Sequence, residues 1–385
     1  MYTQCLEILK FNCDLKLLTH NTFNFSDNFR KLLYQKSQSI FDNLDYEDDS
    51  IFLEPALICY FFSNRNTISL EQILYGYSEK VIDLDTTVVK SDVFGLVNFP
   101  NFGYLRTKPK YTFSINVCKI QENIVPIQFV SNSKVRLCLH PTEYLGYSPK
   151  VKFSEPIEKT LYKNVDSLNQ ATDFFQNHLT NFWDVIIAVT REFVIFSSNN
   201  RNSFAAINHH GTAYFNTENR DVSSIFFIED IAHQCGHIIF NMLTMETNDF
   251  LTFHRNVPLN KITHQKEDER TIYGAFHGLF TYTTIVYALS KVIDLEIIFN
   301  KSEIMEAKAR LGFFMMKFST DLVIMKKLDI FTKEGVRYYY MAMDSYKFIK
   351  ENYQYAYYNF NYVKQPYNFD FSIFKEENKI ITNLP

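Results

Sequence analysis

Residues 223–245 read SSIFFIEDIAHQCGHIIFNMLTM. A serine ahead of an apolar run marks a helix start, so Ser223, or Asp221 just before it, is the expected cap. The run is apolar nearly all round, through Ile225, Phe226, Phe227, Ile228, Ile231, Ile238, Ile239 and Phe240. A helix of that kind belongs in an interior. Polar groups on it must find partners or do work. Glu229, His233, His237 and Asn241 recur every four residues and so form one stripe. Two imidazoles four positions apart can meet one metal ion. The spacing alone is weak: with 10 histidines in 385 residues, chance supplies roughly a quarter of one such pair. The competing reading is two hydrogen-bonded core histidines; the apolar helix and the aligned stripe bring the metal level with it.

Working outward, DERTIYGAFHGLFTYTTIVYALSKV (268–292) predicts a second helix. Gly274 and Gly278 lie in its interior, where each costs up to about 1 kcal/mol relative to Ala. Close approach of another backbone would justify them, and His277 sits beside that glycine edge. Arg270 precedes His277 by two turns, about 10.5 Å along a helix axis. A partly buried guanidinium wants a carboxylate or phosphate for its planar fork. The simpler expectation is a salt bridge to Glu267 or Glu269. Taken together, His233, His237 and His277 could bind one metal, with Arg270 a small molecule's length away. That pattern suits a dicarboxylate such as 2-oxoglutarate on Fe(II), with Arg270 gripping its far end.

The rest of the chain sets the frame. It has 10 glycines, 10 prolines and no long run of like charge, which argues against low-complexity linkers and charged tails. A formal charge of -4 excludes a general nucleic-acid or anionic-membrane binder. No stretch approaches the roughly 18 unbroken apolar residues of a membrane span, and no secretory leader is read at the start. Six scattered cysteines without a CxxC fit a reducing cytoplasm rather than a disulfide scaffold.

The fold class expected is α+β. The first 45 residues have helical spacing, as in NFRKLLYQKSQSIFDNL (28–44). KVIDLDTTVV (80–89), YTFSINVCKI (111–120), IVPIQFV (124–130) and KVRLCL (134–139) predict strands. HPTEYLGYSPK (140–150) reads as a turn, with a soft boundary near 150. Residues 1–150 are then a mixed N-terminal region, available for peptide recognition. Residues 151–385 are a mainly helical domain carrying the HxxxH site. Within it, EFVIFSS (192–198), SFAAIN (203–208) and TAYFNT (212–217) predict short strands, and SEIMEAKARLGFFMMKFSTDLVIMKKL (302–328) and TKEGVRYYYMAMDSYKFIKENY (332–353) two more helices. His140, His209, His210, His254 and His264 read as loop or turn residues, and Cys235 as a small packed one.

Three segments in order carry a resemblance: GTAYFNTENRDVSSIFFIEDIAHQCGHIIFNML (211–243), DERTIYGAFHGLFTYTTI (268–285) and LDIFTKEGVRYYYMAM (328–343). Together they resemble the HExxH-type 2-oxoglutarate-dependent peptide β-hydroxylases of ribosomal peptide maturation, over about residues 165–350. The resemblance implies Fe(II) held by His233, His237 and His277, 2-oxoglutarate held by Arg270, and a peptide substrate, with residues 1–150 available to hold a leader segment. A carboxylate from Glu246, Asp249 or Glu269 is the alternative third ligand. The sequence departs from the family at two places: Gln234 replaces the motif glutamate and Thr271 the proline after the arginine. An amide cannot take the proton a zinc peptidase's glutamate takes, which weakens a hydrolytic reading. An oxygenase needs no such base, and Gln234 can still hydrogen-bond around the ligands. A zinc metallohydrolase using another base, or an inactive peptide-binding member, are the alternatives. An extended substrate could add to the strand near TAYFNT.

Overall fold

The computed structural model describes residues 15–63, 68–78, 87–116, 122–146, 150–218, 220–263, 268–326 and 329–379. The chain is a mixed α+β protein, mostly helical with small sheets. It divides into two compact units: residues 19–166 with 187–219, and residues 1–18, 167–186 and 220–385. This division differs from a cut at 150, because the strands of 192–216 group with the N-terminal residues. No helix among the described residues is long and apolar enough to cross a membrane.

Among the described residues, the unit built on 19–166 and 187–219 holds ten strands in three sheets. β1 (Thr87–Lys90) pairs with β4 (Thr112–Ile115). β2 (Leu96–Phe99), β3 (Gly103–Arg106) and β5 (Ile124–Pro126) form a three-stranded antiparallel sheet. The largest sheet runs β6 (Gln128–Phe129), β7 (Arg136–Leu137), β8 (Glu192–Phe196), β10 (Thr212–Asn216), β9 (Phe204–Ala205). β8 and β10 are parallel and buried throughout, as β-branched and aromatic strands covered on both faces should be. The β2–β3 hairpin was not legible, because Pro100 and Gly103 break its pattern. Asn101, at φ 61, makes the turn between its strands. Residues 80–86 and 117–120 lie outside the described residues.

β10 is an interior strand, paired to β8 on one side and to β9 on the other over Ala213 and Tyr214. The expectation that a peptide adds at TAYFNT is therefore corrected: neighbouring strands already take those backbone groups. The expectation of a turn at 140–150 is also corrected. Thr142–Gly146 is a short helix, and His140, His209 and His210 are buried. Nδ1 of His140 accepts from the backbone N–H of Thr142 at 3.0 Å. Tyr214 Oη lies 2.8 Å from His209 Nδ1 and 2.7 Å from Thr142 Oγ1. Arg136 is sealed between Glu54, at 2.8 Å, and Glu192, at 2.6 Å.

The second unit is carried by four long helices: α1 (Ser224–Leu243), α2 (Ile272–Asp294), α3 (Lys301–Lys326) and α4 (Lys333–Tyr353). α2 packs against each of the other three. Ser223 caps α1, its Oγ accepting from Phe226 N at 3.0 Å. Thr271 caps α2 in the same way, accepting from Gly274 N. The second helix thus starts at Ile272, four residues later than expected, and Arg270 lies outside it.

The close approach expected at Gly274 and Gly278 occurs at Gly236 instead. A Cβ there would stand 2.7 Å from Thr284 Oγ1 of α2. That hydroxyl donates to the Ala232 carbonyl at 2.7 Å, binding α1 to α2 at their crossing. Gly278 faces the Asp321 carboxylate and the Tyr282 ring, and Gly274 only its own cap.

Candidate metal centre

α1 is buried along its whole length except at two residues, His233 and His237. Their rings lie 4.9 Å apart between centroids, as one turn of helix dictates. α2 brings His277 against them, its ring 4.3 Å from that of His237. Nε2 of His277 lies 2.9 Å from Nδ1 of His237 and 3.2 Å from the His237 carbonyl oxygen. A carbonyl only accepts, so His277 carries its proton on Nε2 and His237 accepts through Nδ1. A cation shared by these two nitrogens would displace that proton, and His277 would change tautomer.

Burial favours the neutral form of all three rings. Surrounding protein lowers His233 to about 3, with the nearby charge of Lys317 next in effect. Burial puts His237 and His277 well below their ordinary value, and each is lowered further by a neighbouring imidazole. A neutral imidazole is the ligand form. The donor chemistry therefore suits a divalent transition metal, although the rings are bonded to each other rather than opened around a cation.

Among the described residues, the ligand atoms that gather within 4.8 Å of one another belong to Glu229, Asp230 and His233, not to the three histidines. Glu229 Oε1 lies 3.8 Å from His233 Nδ1, too far for a hydrogen bond. Arg310 holds Glu229 at 2.7 Å and Glu306 at 2.7 Å. Burial and then Arg310 act on Glu229 in opposite senses, and its carboxyl is raised with Asp230 adding to the rise. Sequence reasoning singled out Glu229 but missed Asp230, Glu306 and Arg310. Charge at 306 and 310, four apart on an apolar helix, was the available signal.

Gln234 is buried and donates through Nε2 to Asp230 at 2.7 Å. Arg270 is held on two edges. Its Nε and Nη2 meet Asp268 at 2.9 and 2.8 Å, and its Nη1 and Nη2 meet Asp321 at 2.6 and 2.9 Å. These two hydrogen-bonded carboxylates hold the guanidinium well above its ordinary value. Among the described residues Arg270 pairs with Asp268 and Asp321 rather than with Glu269, and Glu267 lies outside the described residues. Glu246, Asp249 and Glu269 are exposed and do not enter the cluster. His254 is an exposed loop residue as expected, and His264 lies outside the described residues. Cys235 is buried and, like Cys59 and Cys138, in no disulfide.

No protein-family model matches this chain, and no curated protein matches it significantly.

Proposed function

We propose that this protein is an Fe(II)/2-oxoglutarate-dependent dioxygenase that hydroxylates a side-chain carbon of a peptide. Its net reaction converts a peptide C–H, dioxygen and 2-oxoglutarate into C–OH, succinate and carbon dioxide. One observation carries the reading: on an otherwise sealed helix only His233 and His237 open outward, and His277 closes on them from the next helix. Two half-exposed imidazoles one turn apart on such a helix are placed to share a ligand from outside it.

His233, His237 and His277 would hold the iron, which when bound supplies the redox chemistry that the side chains lack. Neutral rings bind without net proton loss, His277 by moving its proton from Nε2 to Nδ1. Glu229, anchored by Arg310, stands 3.8 Å from His233 Nδ1, beyond hydrogen-bond reach. No carboxylate of α1 is open to solvent beside the imidazoles, and Gln234 is spent on Asp230. That absence of a base on the helix favours the oxygenase over a zinc hydrolase.

The test is anaerobic loading with Fe(II), followed by 2-oxoglutarate and then air. The expected result is about one iron per chain and succinate formed slowly even without peptide, both lost in His237→Ala. Purified protein that takes up no iron, or makes no succinate once loaded, would refute the proposal.

A further inference from the structure

We infer that Lys317, not Arg270, receives the distal carboxylate of the co-substrate; the inference rests on the oxygenase reading above. Arg270 is an unsuitable receptor as it stands. Four of its N–H bonds already point at Asp268 and Asp321. One guanidinium between two carboxylates carries a net negative charge, which repels a third. Exchanging Asp321 would strand a buried carboxylate.

Lys317 presents the opposite case. Its ammonium donates to the Tyr367 carbonyl at 2.9 Å and lies 4.0 Å from the centre of the Tyr367 ring. The Phe313 and Phe314 rings stand 5.1 and 6.0 Å away. Among the described residues no carboxylate lies within the 4.0 Å of an ion pair with it, so two N–H bonds remain for an incoming anion. Aromatic walls strip water from a cation and strengthen what it binds.

Its position fits. Phe314, Lys317 and Asp321 fall on one stripe of α3. Phe314 at one end has its ring 6.3 Å from His233. Asp321 at the other end meets Arg270 and faces Gly278, beside His277. Lys317 stands between them, half-buried, and its charge acts on His233.

The experiment uses full-length protein loaded anaerobically with Fe(II). 2-Oxoglutarate is titrated against 2-oxopentanoate, a keto acid without the distal carboxylate, with binding read by calorimetry. Lys317→Met should weaken 2-oxoglutarate by at least about tenfold, the scale of a lost charged hydrogen bond. It should leave iron uptake and 2-oxopentanoate binding unchanged, and Lys317→Arg should restore most of the loss. Full 2-oxoglutarate affinity in Lys317→Met, with the loss appearing in Arg270→Met instead, would overturn the inference and keep the oxygenase reading. Iron-loaded wild type that binds neither keto acid would overturn both.

Discussion

Nε2 of His277 lies 2.9 Å from Nδ1 of His237, although 40 positions separate them in the chain. The contact depends on the α1–α2 crossing, and that crossing depends on Gly236. Packing therefore sets the geometry of the centre.

Metal uptake should depend on both partners of this contact. His237→Ala and His277→Ala are each expected to lower Co(II) affinity by at least about tenfold, with the fold intact because both rings are partly open. Titration of Co(II) by visible absorption checks this. Unchanged affinity in His277→Ala would remove that ring from the ligand set.

Gly236→Ala should destabilise the α1–α2 crossing. The new methyl meets Thr284 Oγ1 at 2.7 Å, and relieving it moves a helix or breaks the bond to Ala232. A loss of about 1–3 kcal/mol in urea unfolding is expected. Thr284→Ala in the same chain should cost less than its effect alone, since the clash goes with the hydroxyl. Additive losses would contradict this account of the crossing.

Gln234→Glu would create an HExxH sequence, but it should destabilise rather than activate. The amide donates to the buried Asp230 carboxylate at 2.7 Å, and a glutamate there sets two carboxylates together. About 1–3 kcal/mol of lost stability is expected from thermal denaturation, smaller at low pH where one carboxyl is protonated. A variant as stable as wild type at pH 8 would show that Asp230 has room to move away.

Stability should peak near pH ~6.5 and fall on both sides. His140, His209 and His210 are each lowered by burial, from 6.5 to about 3. The unfolded chain binds those protons first, so their contribution is present above 6.5 and is lost as pH falls toward 3. Burial raises Glu143 from 4.5 to about 8, so the folded chain holds its proton longer. That contribution is full below 4.5 and is lost as pH rises toward 8. Each group changes the slope by up to about 1.4 kcal/mol per pH unit. Urea midpoints from pH 4 to 9 measure the curve, and Glu143→Gln should flatten its alkaline limb. An unaltered alkaline limb in that variant would assign it to another group.

What could be read directly was whatever repeats at short range. Apolar spacing located α1, α3 and α4 to within a few residues, and Ser223 as a cap, because helix periodicity and capping are local. The four-residue interval put His233 and His237 on one face before any packing was known. Tertiary structure alone decided that His233 and His237 are the open positions of a sealed helix, that β10 lies inside its sheet, and that His140 and His209 are buried. It also closed Arg270 onto Asp321, 51 positions away. Such pairings depend on which surfaces meet when helices and strands pack, and a guanidinium looks the same in sequence whether its fork is free or filled.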